Sequence, residues 1–110
     1  MKIKNAISET GMMIPDHNVS AELMYIWLAR LEGLVRTEIK KEIPVEEILF
    51  GEEDNERELS VPDPYSAVYP MYLQTMIYLY LGEYDRYNYL NSLFSTLWSD
   101  YAKYYVRTKG

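Results

Sequence analysis

Cysteine is absent from this 110-residue chain, and histidine occurs once. Without thiolates there is no disulfide and no cysteine-based metal site, so cysteine usage reports nothing about redox compartment. With His17 alone, the HExxH pattern of zinc proteases and the Glu-x-x-His pairs of di-metal bundles both lack their residues. No P-loop, GxGxxG or GxSxG sequence occurs either, which removes Walker-type, Rossmann and nucleophile-elbow readings. Asp16 beside His17 would orient a general base, but no nucleophile accompanies the pair. Positive charge is also scarce. Eleven Lys and Arg stand against seventeen Asp and Glu, a net charge of −6. That acidity favours solubility and speaks against nucleic-acid binding as the main task. Long apolar runs are missing too. The longest, Leu23 to Ala29 and Met76 to Leu81, are far below the roughly 20 residues that span a bilayer. MKIKNAISETGMM lacks the continuous apolar core of a signal peptide. The expectation is a soluble non-enzyme with no cofactor, no metal and no membrane.

What is present is globular composition, 48 % hydrophobic and 25 % charged, in a chain of single-domain size. One helical domain over 1–110 is expected, large enough to bury a single core. Aromatic content is concentrated: eleven of the twelve tyrosines fall between Pro62 and Arg107. This stretch reads as two helices folded back on each other at Gly82, over about 64–107. Pro64 suits a first helical turn and Asp63 its cap. Tyr69, Tyr72, Leu73, Met76, Ile77 and Tyr80 then make one apolar stripe at spacings of three and four. Gly82 is the expected left-handed stop. The last helix runs from about Glu83 to Arg107, roughly 36 Å at 1.5 Å per residue. Its stripe is Tyr84, Tyr87, Leu90, Phe94, Leu97, Trp98, Tyr101 and Tyr104 or Tyr105. Glu83 and Asp85 at its start and Lys103 and Arg107 at its end suit the helix dipole.

The first half reads as two further helices. Residues 2–13 put Ile3, Ala6 and Ile7 on one face, with Gly11 and Pro15 limiting the length. Asn18 or Ser20 caps a second helix over about Val19 to Lys41, whose stripe is Met24, Trp27, Leu28, Leu31, Leu34, Val35 and Ile39. Arg30, Glu32, Arg36, Lys40 and Lys41 fall on its other side or its borders. Gly33 inside it is either a point of close approach or a tolerated defect, costing about 1 kcal/mol against alanine. Ile43-Pro44 is expected to end this helix. Glu38 and Glu42 read as neighbours on a solvated face.

From about 43 to 61 an arm interrupts the helices: VEEILF and ELSV flank GEEDNER, as a loose β-hairpin or one long loop. Eight acidic residues lie between Glu42 and Glu58, without the spacing of a calcium loop. A solvated acidic arm is expected. The fold class is therefore all-α, about four helices with a C-terminal antiparallel hairpin and an irregular or short β-hairpin arm in the middle.

Two stripes leave Tyr78, Tyr89 and one of Tyr104/Tyr105 facing elsewhere. Tyrosine supplies large contact area at low entropic cost, so the surplus points to an interface. The candidate contacts are Phe50, Glu52, Glu53 and Arg57 at the arm tip, and Tyr104, Tyr105 and Arg107 at the C-terminal end. A helix-turn-helix over 3–40 is disfavoured, because the end that would enter the groove carries Val19, Ala21, Glu22, Leu23 and Met24.

The segments VPDPYSAVYPMYL, LGEYDRYNYLNSLF and YAKYYVRT carry a resemblance. Val61, Pro62, Pro64 and Tyr65 match a Val-Pro-x-Pro-Tyr approach. Gly82, Glu83, Tyr84, Arg86, Tyr87 and Asn88 match a Gly-Glu-Tyr-x-Arg-Tyr-Asn turn, and Tyr105, Arg107 and Thr108 a closing Tyr-x-Arg-Thr. With a weaker match in WLARLEGLVRTEI, about 80 residues resemble head–tail connector (adaptor) proteins of phages and prophages. The resemblance implies a helical subunit of a ring that docks on the capsid portal and presents a surface to the tail or head-closure protein. It implies residence at the virion head–tail junction, or in the bacterial cytoplasm during assembly, with DNA passing through an electronegative lumen unread. Pro70 departs from the family pattern: either the third helix kinks at Ser66–Pro70, or its regular part begins at Pro70. The alternative function is a small helical protein-binding or regulatory module, monomeric or dimeric.

Overall fold

The third helical segment, VYPMYLQTMIYLYL, contains no charged residue, and a helix apolar all round must be covered on several sides. The computed structural model, which describes residues 1–43 and 46–109, places it at the centre. Four α-helices are present among the described residues: α1 Ile3–Met13, α2 Ala21–Leu34, α3 Val68–Leu81 and α4 Tyr84–Lys109. Helices α1 and α2 pack on one side of α3, and α4 packs on the other. The core is built from Ile3 and Ala6 of α1, Met24, Trp27, Leu28 and Leu31 of α2, and Tyr69, Leu73 and Ile77 of α3. The expected stripe on α3 holds at Tyr69, Leu73 and Ile77, but Tyr80 is 65 % exposed, its ring edge-on to Trp27 at the rim. Val68, Pro70 and Thr75 are buried instead, because helices on both sides cover more than one stripe.

Local chemistry sets the boundaries. Ser20 caps α2, its hydroxyl accepting the Leu23 N–H at 3.2 Å. Between α1 and α2, His17 closes the turn by accepting the Val19 N–H on Nδ1 at 2.8 Å. Helix α1 runs through Gly11 without a break. Helix α2 widens into a π-helical turn over Val35–Ile39, where the Lys40 N–H reaches back to the Val35 carbonyl at 3.0 Å. It stops there, with Lys41 left-handed, before the expected proline; Pro44 lies outside the described residues. Gly33 faces open space, so no helix approaches it and it is the tolerated defect.

Pro70 occupies the first turn of α3, where a missing N–H breaks no bond. The segment before it is a separate 3-10 turn, Tyr65–Ala67, so the chain does not kink within one helix. Asp63 does not cap α3; its carboxylate accepts the Ser66 hydroxyl. At the far end Gly82 has φ 76°, its N–H donating to the Leu79 carbonyl while the Glu83 N–H reaches the Tyr78 carbonyl. Those paired bonds form a Schellman stop, which sends α4 back along α3.

Of the two forms expected for the arm, the β-hairpin does not form among the described residues, and the segment is irregular. Within the arm the backbone makes short turn bonds, such as Asp54 N–H to the Gly51 carbonyl at 2.9 Å, and its second half bonds to the start of α1. The N–H groups of Ile3 and Lys4, orphaned at the start of α1, donate to the carbonyls of Arg57 and Asn55, each at 3.0 Å. Leu59 N–H donates to the Met1 carbonyl, and Lys2 and Glu58 form one antiparallel bridge. Helix α1 has no side-chain cap, so this segment serves as its cap. Leu59 and Val61 are core residues, which makes the second half of the arm part of the domain.

A buried polar cluster locks this segment to the helices. Glu32 of α2, expected on the polar side or its border, is only 7 % exposed. Its carboxylate accepts the Ser60 N–H at 2.8 Å, the Ser60 hydroxyl at 3.0 Å and the Tyr69 hydroxyl at 2.6 Å. Tyr69 in turn accepts the Val61 N–H at 2.9 Å. No buried side-chain polar atom is left unpaired among the described residues. Burial, reinforced by the Glu32 charge, pushes the Tyr69 phenol far above its ordinary range; burial also raises Tyr72 and Tyr101.

Two outcomes follow for stability. Tyr69→Phe strands the buried Val61 N–H and should cost about 1–3 kcal/mol, and Glu32→Ala, stranding three donors, about 2–4 kcal/mol, both read by urea unfolding. Because folding raises these phenol pKa values, their contribution is complete below the unfolded tyrosine value of about 10 and is lost as pH rises beyond it. Urea midpoints should therefore fall above that pH, and the fall should be shallower in Tyr69→Phe.

Candidate interface surfaces

Helix α4 is the outer layer of the molecule. Its 26 residues would measure about 39 Å at 1.5 Å per residue, close to the 43 Å long axis of the domain. Helix α3 is only 14 residues long, so the second half of α4 runs on past its start. An aromatic ladder holds the inner face. Tyr72 meets Phe94 at 5.4 Å between ring centroids, Phe94 meets Trp98 at 5.7 Å, and Tyr65 lies against Tyr101 and Tyr104 at 5.6 and 5.0 Å. Such pairs add roughly 0.5–1.5 kcal/mol each beyond area burial. Even so, Tyr101 is the only residue of α4 that is fully buried.

Apolar side chains are consequently left in solvent along the hairpin. Tyr84, expected on the inner stripe, is 62 % exposed, because it precedes the point where α4 closes on α3. Tyr89 is 66 % exposed, as its off-stripe position predicts, while Tyr78 is half-buried under the Arg86 guanidinium, 5.5 Å from its ring centroid. At the C-terminal end Tyr104 and Tyr105 are half-buried against the core, and Arg107 is exposed. Lys109 lies over the Tyr105 ring at 5.6 Å. Of these three candidates, then, Arg107 is the one that faces outward.

The arm candidates separate in the same way. Phe50 packs partly against the core, and the Arg57 guanidinium sits 5.8 Å from its ring centroid while pairing with Asp54 at 3.7 Å. Both residues hold the arm in place. Glu52 and Glu53, on the 3-10 turn Glu52–Asp54, are exposed and carry no ion pair among the described residues. The other acids divide by partner. Glu56 binds Lys2 and Lys4 at 2.9 and 2.5 Å, and the two ammonium groups hold its carboxyl down to about 2. Glu42 pairs with Arg36 at 3.1 Å. Glu46 and Glu47 are exposed and unpaired among the described residues. Among those residues no three His, Cys, Asp or Glu side chains gather as a metal ion would require. No helix of the described residues is long and apolar enough to cross a membrane.

Sequence reasoning missed Asn55, whose Oδ1 accepts the Tyr25 hydroxyl at 2.7 Å while its carbonyl caps α1. It also missed Glu32, although that residue lies four after Leu28 and three before Val35, on the buried face. Compared with family models, curated proteins and solved structures, the chain matches none.

The arm therefore has two mechanical parts. Replacing Glu46, Glu47, Ile48 and Leu49 by a Gly-Ser linker of equal length should leave the helical circular dichroism and the thermal midpoint nearly unchanged. The same replacement of 55–58 removes the cap of α1 and should lower the midpoint clearly. Equal effects of the two replacements would contradict this division.

Proposed function

We propose that this chain is a non-catalytic structural subunit of a phage or prophage head–tail connector, acting by ring assembly and docking. In this reading the ring seats on the capsid portal at the head–tail junction and offers its other side to the tail or head-closure protein. The motif series at 61–108 carries the proposal. The build of the hairpin supports it: α4 is held on one face only, and Tyr84, Tyr89 and Val106 stand exposed along it. A monomer gains nothing from a 26-residue helix covered so thinly, whereas a neighbouring subunit would bury the rest. The excess of acid over base suits a channel wall that DNA passes without sticking.

A second reading, a helical protein-binding module, is favoured by one feature. Met13, Gln74, Tyr78, Arg86, Tyr89 and Leu90 line a largely apolar recess between α1, α3 and α4. Light scattering over a wide concentration range, with electron microscopy of any large species, separates the two. Closed rings are expected. A dimer at every concentration would favour the binding module, and tight DNA binding with a steep salt dependence would sink both.

A further inference from the structure

Four exposed carboxylates of the arm, Glu46, Glu47, Glu52 and Glu53, have no cationic partner among the described residues, and Leu49 between them is 72 % exposed. The end of α4 is the opposite in sign. Lys103, Arg107 and Lys109 are exposed and make no ion pair among the described residues, and Asp100 is the one acid in the last ten residues of the helix. Val106, 65 % exposed, lies among these cations, and with Ser99 and Ala102 it forms a shallow apolar groove. The helix dipole alone favours cations at a C-terminus, but it gives no reason for an exposed valine among them. Each patch thus has an apolar centre and a charged rim, and the rims are complementary.

Within one copy the arm is bonded to α1 and α2, while α4 rests on α3 and the Tyr65 turn, and among the described residues no ion pair joins the two patches. We propose that the acidic arm, 46–53, of one copy docks on the basic end of α4 of a second copy, with Leu49 against Val106. Two different patches of one chain in contact make a heterologous, head-to-tail interface, which closes into a ring or propagates. The contact gives the ring reading above its subunit interface and rests on that reading for closure alone.

The test uses the full chain and two charge reversals, Glu52→Lys/Glu53→Lys and Lys103→Glu/Arg107→Glu, each checked for native circular dichroism. All four positions are exposed, and the neutral pairs Glu52→Gln/Glu53→Gln and Lys103→Gln/Arg107→Gln stand in for any reversal that does not fold. Sedimentation at low and high salt should show the wild type associating, less so as salt screens the rims. Each reversal alone removes the charge complementarity of the two patches and should associate more weakly by roughly tenfold or more. An equimolar mixture of the two reversals should regain association, because an alternating order sets each unaltered arm on an unaltered helix end and brings the exchanged charges of the two variants together. A wild type that stays monomeric at low salt, reversals that associate normally, or a mixture no better than its parts would each overturn the contact. Rings indifferent to reversal would keep the connector reading and remove this contact. Charge-dependent association that stops at a dimer would keep the contact and remove the ring.

Discussion

The Glu32 carboxylate is the constraint on which the arrangement of this domain depends. It accepts three hydrogen bonds in a nearly dry site, two from Ser60 and one from Tyr69, and so ties α2, the end of the arm and α3 at one point. An uncompensated carboxylate there would be costly, and any shift of the arm or of α3 would leave one. The cluster therefore fixes relative position more than it adds stability. Val61 is drawn in through its N–H to Tyr69, which sets where the chain must turn before α3 begins.

From that point order spreads outward in both directions. Pinning Ser60 and Val61 holds 55–59 beside the start of α1, where its carbonyls satisfy donors that no side chain caps. Toward the C-terminus, α3 is held on the α1–α2 side and presents its remaining aromatics to α4. The hairpin stop at Gly82 then fixes the direction of α4, but α4 itself is retained by one face of ring contacts. The domain thus runs from a tightly bonded layer to a thinly held one, and its exposed apolar residues gather along the latter.

The charge distribution follows the same gradient. Acids near the bonded layer are neutralised by Lys2, Lys4 and Arg36, whereas those at 46–53 and the cations at the end of α4 are unpaired among the described residues. Charges engaged within the fold hold it together; those left over face whatever lies beyond it. Arg57, paired with Asp54, belongs to the first group, Glu52, Glu53 and Arg107 to the second.

What the sequence determined alone was whatever depends on neighbours within a few positions. The Gly82 stop, a cap at Asn18 or Ser20, the inner face of α1 and the pairing of α3 with α4 are written in spacings of three and four and in residue types able to cap or to take a positive φ. Only tertiary structure decided the burial of Glu32, the capping of α1 by 55–57, and the exposure of Tyr80 and Tyr84. Each of those depends on a partner distant in the sequence. Glutamate usually faces water, and nothing near Glu32 in the chain announces Ser60 or Tyr69, 28 and 37 residues away. A strand-like segment chooses its hydrogen-bond partners by proximity in the folded molecule, so the second half of the arm paired with a helix end and not with a second strand. Periodicity tells which face is apolar; only packing tells how far along the helix that face is covered.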